Sequence, residues 1–296
     1  MQQTGTVCEF ANSDSWVILS PIELSIKRKI EAVGTPLKDW DINIYRGVLT
    51  GYNEAFIIST EKREKILANC QSEDERMRTA ELIRPILRGR DIKRYGYNWA
   101  GLYLIATFPS RHYDIEQYPA VKNYLLSFGI ERLEQTGKEH NVNGEKIKAR
   151  KKTNNKWFET QDSISYWEYF SKPKIVFQEI VQESQFFYDM DGRFICNDTC
   201  RIIVGKELSF LLGVLNSKLF FYAIKHFYGG GVLGEHGIRM KHTFFQNFPC
   251  IQYNSTIDKL VKELTEKKDA KVENQIENNI YNLYGLTPQE IQMVEE

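Results

Sequence analysis

Residues 172–223 read KPKIVFQEIVQESQFFYDMDGRFICNDTCRIIVGKELSFLLGVLNSKLFFYA, and this stretch decides the fold class. Lys174 to Val181, Phe186 to Asp189, Arg193 to Cys196 and Ile202 to Val204 are short runs rich in β-branched and aromatic residues. Polar or glycine-containing turns bound them, so each predicts a strand. The turn Asp189-Met-Asp-Gly192 predicts a hairpin between the second and third runs. The apolar spacing then changes period. Leu208, Leu211, Leu212, Leu215, Leu219, Tyr222 and Ala223 recur as on one side of a helix. This helix is expected to pack on the sheet made by residues 174–204, with Asn216 and Ser217 capping it or bonding a neighbouring loop. Strands followed by covering helices predict an α+β fold: a mixed twisted sheet flanked by helices, with a C-terminal helical tail.

The same mixture extends in both directions. Ser20-Pro21-Ile22-Glu23 is a capping box with proline at the first helical position, and it opens a helix over residues 20–33 that Gly34 ends. A short strand over Ala55–Ile58, a helix over 61–83 and a strand over 102–107 follow. Pro119 opens a helix that Gly129 closes. Residues 136–156 are polar and basic and read as one long mobile loop. At the far end, Ile257, Leu260, Val261 and Leu264 form one helical stripe and Val272, Ile276, Ile280 and Leu283 another; Thr287-Pro-Gln-Glu290 is a second capping box. The expected division is residues 1–255 as one domain and 256–296 as the acidic helical tail.

The 296 residues carry 39 Lys and Arg against 39 Asp and Glu, and 42% are hydrophobic. That composition excludes a disordered chain, a collagen-like fibre and a disulfide miniprotein. No run of 18 apolar residues predicts a membrane span, no secretory signal opens the chain, and five scattered cysteines suit a cytoplasmic protein. Zero net charge hides an asymmetry. From Arg76 to Lys156 there are 17 Lys and Arg against 8 Asp and Glu. Two clusters stand out: Arg84, Arg88, Arg90, Lys93 and Arg94, and Lys146 to Lys156. Cations interleaved with amides and aromatics suit a phosphate surface; a solvated charged face is the plain alternative.

Four patterns in the sequence bear on catalysis or metal binding. Phe227-Tyr-Gly229-Gly-Gly231 resembles a cofactor glycine loop of methyltransferases, but it follows a helix rather than a strand. The eight prolines are never adjacent, so the double-proline adenine-methylation motif is absent. Asp91-Ile-Lys93 suits the end of a metal-dependent nuclease motif, without the upstream acid such a site needs. Cys196, Cys200, His226, His236 and His242 form a loose zinc set, for which buried cysteines and solvated histidines are the simpler account. No P-loop or nucleophile elbow occurs. The residues describe a binding module without a catalytic motif of its own.

Several segments together resemble a known family. Residues 39–56, DWDINIYRGVLTGYNEAF, and 83–95, IRPILRGRDIKRY, come first. Trp157-Phe-Glu159 with Lys172 to Phe177, then Leu212 to Leu219 with Phe248-Pro249, and finally IYNLYGLTPQE at 280–290, follow in order. The resemblance is to the TaqI-like C-terminal specificity domain of adenine-specific DNA methyltransferases and type IIG restriction-modification enzymes. It implies sequence-specific double-stranded DNA recognition in phage defence, and a methyltransferase catalytic domain in cis or in trans that would hold S-adenosylmethionine. The chain itself would carry no cofactor.

Under that resemblance, the DNA-binding candidates are Arg46, Thr50, Tyr52 and Asn53 in the first motif and Arg84, Arg88, Arg90, Lys93 and Arg94 in the second. Lys148, Arg150, Lys151, Lys152 and Lys156 come from the basic loop. Gly47 and Gly51 would let backbone approach DNA. Asn53 suits either a bidentate bond to adenine or a turn. Arg84 or Arg90 would either clamp phosphate or pair with Asp91 or Glu81. Alternative functions are a small metal-dependent nuclease using Asp91 and Lys93, a single-stranded nucleic-acid binder stacking bases on its aromatics, and a protein-interaction module.

Overall fold

The computed structural model describes residues 19–229 and 237–296. The chain folds as two compact units. One comprises residues 43–178 and 187–204; the other comprises 1–42, 179–186 and 205–296. The boundary expected at residue 255 is not where the chain divides: the tail joins residues from the first forty and the 205–254 region in the second unit.

The first unit contains two four-stranded sheets. In one, the order is Phe186–Asp189, Lys174–Gln178, Cys200–Gly205 and Ile42–Arg46. Ile175 lies opposite Ile203 across its antiparallel centre. In the other, Ile195–Cys196 runs parallel to Ile83–Leu87, which pairs antiparallel with Leu102–Ile105, and that strand with Ile57–Ser59. The mixed sheet expected from the sequence is therefore present. Phe56, Ile86, Leu104, Val121, Leu125, Val176 and Ile202 belong to one buried core.

Two local expectations change. The helix read over 61–83 is two helices, Thr60–Ala68 and Glu73–Leu82. Ser72 restarts the helix by accepting from Glu75 N, and the buried Glu75 carboxylate reaches back to Gln71 N and across to Ala120 N. The hairpin read at Asp189-Met-Asp-Gly192 forms its turn but not its strand pair. Buried Lys174 donates to Asp189 at 2.5 Å, and the same carboxylate accepts from the backbone N–H groups of Arg193 and Phe194. A buried ammonium needs that acid. The chain then leaves for the other sheet, a choice of partner that period-2 patterning does not encode.

In the second unit, the helices Pro21–Val33 and Pro288–Glu295 both open with the capping boxes read from the sequence. The helix read through 208–223 breaks at Ser217 into Leu208–Asn216 and Lys218–Ala223. Ser217 takes an extended backbone, and its hydroxyl accepts from Phe220 N. Asn216 accepts from Phe186 N and donates to Phe186 O through its side-chain amide. Every residue of Leu208–Asn216 is buried, so the helix is covered on all sides and not only along its apolar stripe. Within its own unit it packs on Ser255–Glu266, where Val261 and Ile257 press on Gly213; a methyl at Gly213 would meet the Val261 side chain at 2.8 Å. Among the described residues, no single helix is long and apolar enough to cross a membrane. One bent helix pair, Leu208–Asn216 with 218–228, passes by length and composition, and its first member is buried in this core.

Candidate nucleic-acid interface

All the sequence-selected cations and amides belong to the first unit. The strand Ile42–Arg46 delivers Arg46, half exposed, to within 3.8 Å of Asp162 and 3.9 Å of Asp198. Burial pushes the Asp162 carboxyl above its ordinary range, and Arg46 only partly offsets it. After Arg46 the chain meets a tight turn at Asn197-Asp198-Thr199. Gly47 N donates to Cys200 O and Val48 N to Cys196 O. From the other side, Asn197 N donates to Leu87 O, and the Thr199 hydroxyl accepts from Gly89 N.

One turn thus holds both motifs. It explains two glycines. A Cβ on Gly47 would lie 1.8 Å from Asn197 O, and one on Gly89 3.0 Å from the Thr199 hydroxyl, with the Gln178 side chain as close at 2.9 Å. Gly47 is small because protein backbone approaches it, which replaces the expectation that its smallness serves DNA. Sequence reasoning passed over this turn, although Asn-Asp-Thr between two cysteines is a turn signal.

The buried Thr50 hydroxyl donates to Asn53 Oδ1 at 2.6 Å and accepts from Tyr52 N. Asn53 therefore opens the helical turn Asn53–Phe56 and is itself exposed, and among the described residues its side-chain amide N–H groups have no hydrogen-bond partner. Tyr52 packs edge-on against Phe128 under the Arg132 guanidinium.

The second motif divides. Arg88 makes a bidentate pair with Asp91, through Nε at 3.0 Å and Nη2 at 2.8 Å, while Arg88 N donates to the same carboxylate. Burial pushes Asp91 up, but these bonds outweigh it and hold the carboxyl below its ordinary range. The acid that the sequence offered as a metal ligand is thus engaged by an arginine. Among the described residues, no three His, Cys, Asp or Glu side chains gather as a metal site; His236 lies outside the described residues. Lys93 Nζ donates to Arg90 O, Arg90 is exposed, and Arg94 lies over Tyr95. Arg84 donates to the Ser171 hydroxyl and to Gly192 O rather than to an acid.

The basic loop is reorganised most. Glu139–Val142 and Glu145–Lys148 form an antiparallel hairpin. Asn143 and Gly144 turn it, with φ of 53° and 87°, the pair of positive angles a type I′ turn requires. Asn-Gly is the strongest short hairpin signal, and its flanking run of charges masked it.

Arg150 is buried, at 4% exposure, and is spent internally. Its guanidinium donates to the carbonyls of Leu133, Thr50, Trp157 and Glu159 at 2.6–2.9 Å. Burial pushes its pKa down to about 10. Arg150 therefore has no donor left for a phosphate and leaves the set of DNA candidates. It draws the Thr50 loop and residues 133–159 together. Lys148, Lys151, Lys152 and Lys156 stay exposed around it. None of these four, nor Arg90, has an acid within ion-pairing distance among the described residues.

Gly229 ends the helical turn Ile224–Tyr228, and a Cβ there would strike Ile224 O at 2.2 Å; Gly230 and Gly231 lie outside the described residues.

Comparison with known proteins gives two findings. The model of the TaqI-like C-terminal specificity domain matches residues 84–232. The fold is similar to that of the type IIL restriction-modification enzyme MmeI, solved in complex with DNA, with a TM-score of 0.54 and 13% identity over 87% of this chain and 35% of that one. It is also similar to the type IIG restriction endonuclease BpuSI, with a TM-score of 0.50 and 12% identity over 89% of this chain and 32% of that one. The chain spans about a third of each of these enzymes.

Proposed function

We propose, from the premise that the chain belongs to the TaqI-like C-terminal specificity domain family, that it binds a specific double-stranded DNA site in the cytoplasm. In this reading it is the recognition part of an adenine-N6 methyltransferase or type IIG restriction-modification enzyme serving phage defence. A catalytic domain in cis or in trans would hold S-adenosylmethionine and receive an adenine flipped from the duplex, because that chemistry cannot reach a stacked base.

The observation that carries this reading is the Asn197-Asp198-Thr199 turn, which joins the first two sequence motifs into one framework. Arg150 ties the third to it at Thr50. A framework that leaves Arg90 and four lysines without an acid in ion-pairing distance among the described residues separates the two tasks of DNA recognition: phosphate contact supplies affinity, and base edges supply sequence information. Arg90, Lys148, Lys151, Lys152 and Lys156 serve the first task. Asn53 and Tyr52, exposed or half-exposed beside Thr50, serve the second. Arg46, Arg84, Lys93 and Arg94 contribute with the donors they have left. Arg88 orders the motif through Asp91.

The test is a binding titration of the full chain against duplexes at several salt concentrations, with single strands as competitors. Lys151→Gln with Lys152→Gln should weaken binding to all sequences alike and flatten the plot of log affinity against log salt by about 1.8, roughly 0.9 per phosphate lost. Asn53→Ala should leave that slope alone and relax discrimination at one base pair by about 1–3 kcal/mol. Preference for single strands, or indifference to DNA, would remove the reading.

A further inference from the structure

A cleft of about 420 Å³ in the first unit lies apart from the three motif segments except at Arg84. Arg78, Arg84 and Arg111 line it, with Tyr113, Tyr118 and Trp167. Each guanidinium is oriented by a neutral partner. Arg78 donates to Gln117 O at 3.3 Å. Arg84 donates to the Ser171 hydroxyl at 3.1 Å and to Gly192 O at 3.2 Å, which among the described residues leaves three of its five donors over. Arg111 lies over the Trp167 ring, 3.9 Å from its centroid. Such a contact fixes the position of a guanidinium while consuming none of its N–H donors.

One acid, Glu81, also lines the cleft, yet among the described residues no carboxylate comes within ion-pairing distance of any of the three arginines. Burial pushes the Arg84 pKa down, and the Asp189 carboxylate, which lies beyond ion-pairing distance and already accepts from Lys174, offsets this only in part. Three oriented cations around one concavity, with donors to spare, describe a receptor for a tetrahedral anion.

We propose that this cleft binds one phosphate group, with Arg78, Arg84 and Arg111 donating to its oxygens. Arginine presents paired donors matched to phosphate oxygens, and the neutral orienting partners hold those donors in place before the anion arrives. The phosphate source assigned here is the DNA backbone, which rests on the reading proposed above; a free phosphate has the same chemistry and is the other arm of the test.

The experiment uses the full chain and the double variant Arg78→Gln, Arg111→Gln. Both residues are exposed, so the fold should hold, and thermal melting checks it. Arg111→Lys serves as a milder second variant that keeps the charge and loses the planar contact with Trp167. If one phosphate sits in the cleft, the double variant weakens duplex binding about tenfold on every sequence and flattens the salt slope by about 0.9, one phosphate for two arginines. In parallel, inorganic phosphate should shift the Nε–Hε resonances of Arg84 and Arg111 saturably in the unmodified chain. In the variant, the Arg84 shift should be lost.

An unchanged slope in a folded variant that binds DNA overturns the cleft site and leaves DNA recognition standing. A slope loss near 1.8 also overturns it, since the two arginines would then touch separate phosphates. If the unmodified chain ignores DNA but shows the saturable phosphate shift, the cleft stands as a free-phosphate site and the DNA reading falls. If neither occurs, both fall.

Discussion

Arg150 shows what a single residue does here that its neighbourhood in the sequence conceals. It stands first in Arg-Lys-Lys, a run that reads as a solvated basic patch, and Lys151 and Lys152 are indeed exposed. Arg150 instead gathers the carbonyls of Thr50, Leu133, Trp157 and Glu159. Charge patterning cannot distinguish the three, because burial is set by the segment 133–159 folding back over it. Lysine keeps the charge but has three donors on a single nitrogen and no planar fork. Arg150→Lys should therefore cost about 3 kcal/mol or more, since it strands buried carbonyls at about 1–3 kcal/mol each. Denaturant unfolding measures this. A loss below about 1 kcal/mol would mean that the guanidinium is not the hub. Gly47 teaches the same lesson. The sequence marks it as a place where something comes close, and only the fold shows that the visitor is Asn197 O.

Among the elements, those with local signals were legible and those decided by a distant partner were not. Both capping boxes were readable because each is complete within four residues, and so were the helices they open. Ser217 breaks its helix through a local cap, its hydroxyl accepting from Phe220 N, whereas the departure of Ile195–Cys196 to the second sheet depends on contacts far along the chain. The second capping box carries a prediction. Burial pushes the Glu290 carboxyl up, but donors from Lys29, Thr287 N and Ser25 outweigh this and bring it from 4.5 to about 2. A carboxylate depressed in the folded state stabilises above its unfolded pKa. That contribution is lost as pH falls from about 4.5 towards 2. Glu290→Gln should thus lower stability by up to about 3 kcal/mol at pH 7. The gap between the two proteins should close in acid. A gap that stays constant from pH 7 to pH 2 would show that the charge of Glu290 is not what stabilises the folded state.

At the scale of the whole chain, composition and the order of the motifs disclosed the fold class and the family, but not the division into units. A linear reading looks for a boundary, and this chain has none of that kind: residues 43–178 are completed only by 187–204. The later segment supplies all but the last residue of the strand Cys200–Gly205, which lies in the sheet order between Lys174–Gln178 and Ile42–Arg46, and Asp189, the partner of buried Lys174. A fragment of residues 43–178 should accordingly fail to unfold cooperatively in urea, whereas the full chain should show a cooperative transition; a sharp transition in the fragment would contradict the sheet order. The same discontinuity governs inheritance. A gene segment that carries residues 43–178 alone leaves the first unit incomplete, because it separates them from 187–204; a segment spanning 43–204 keeps the unit whole and brings residues 179–186 of the other unit with it. Recombination between related genes can therefore move the first unit whole only by also replacing residues 179–186 of the second, where the Phe186 backbone is held by the Asn216 side chain.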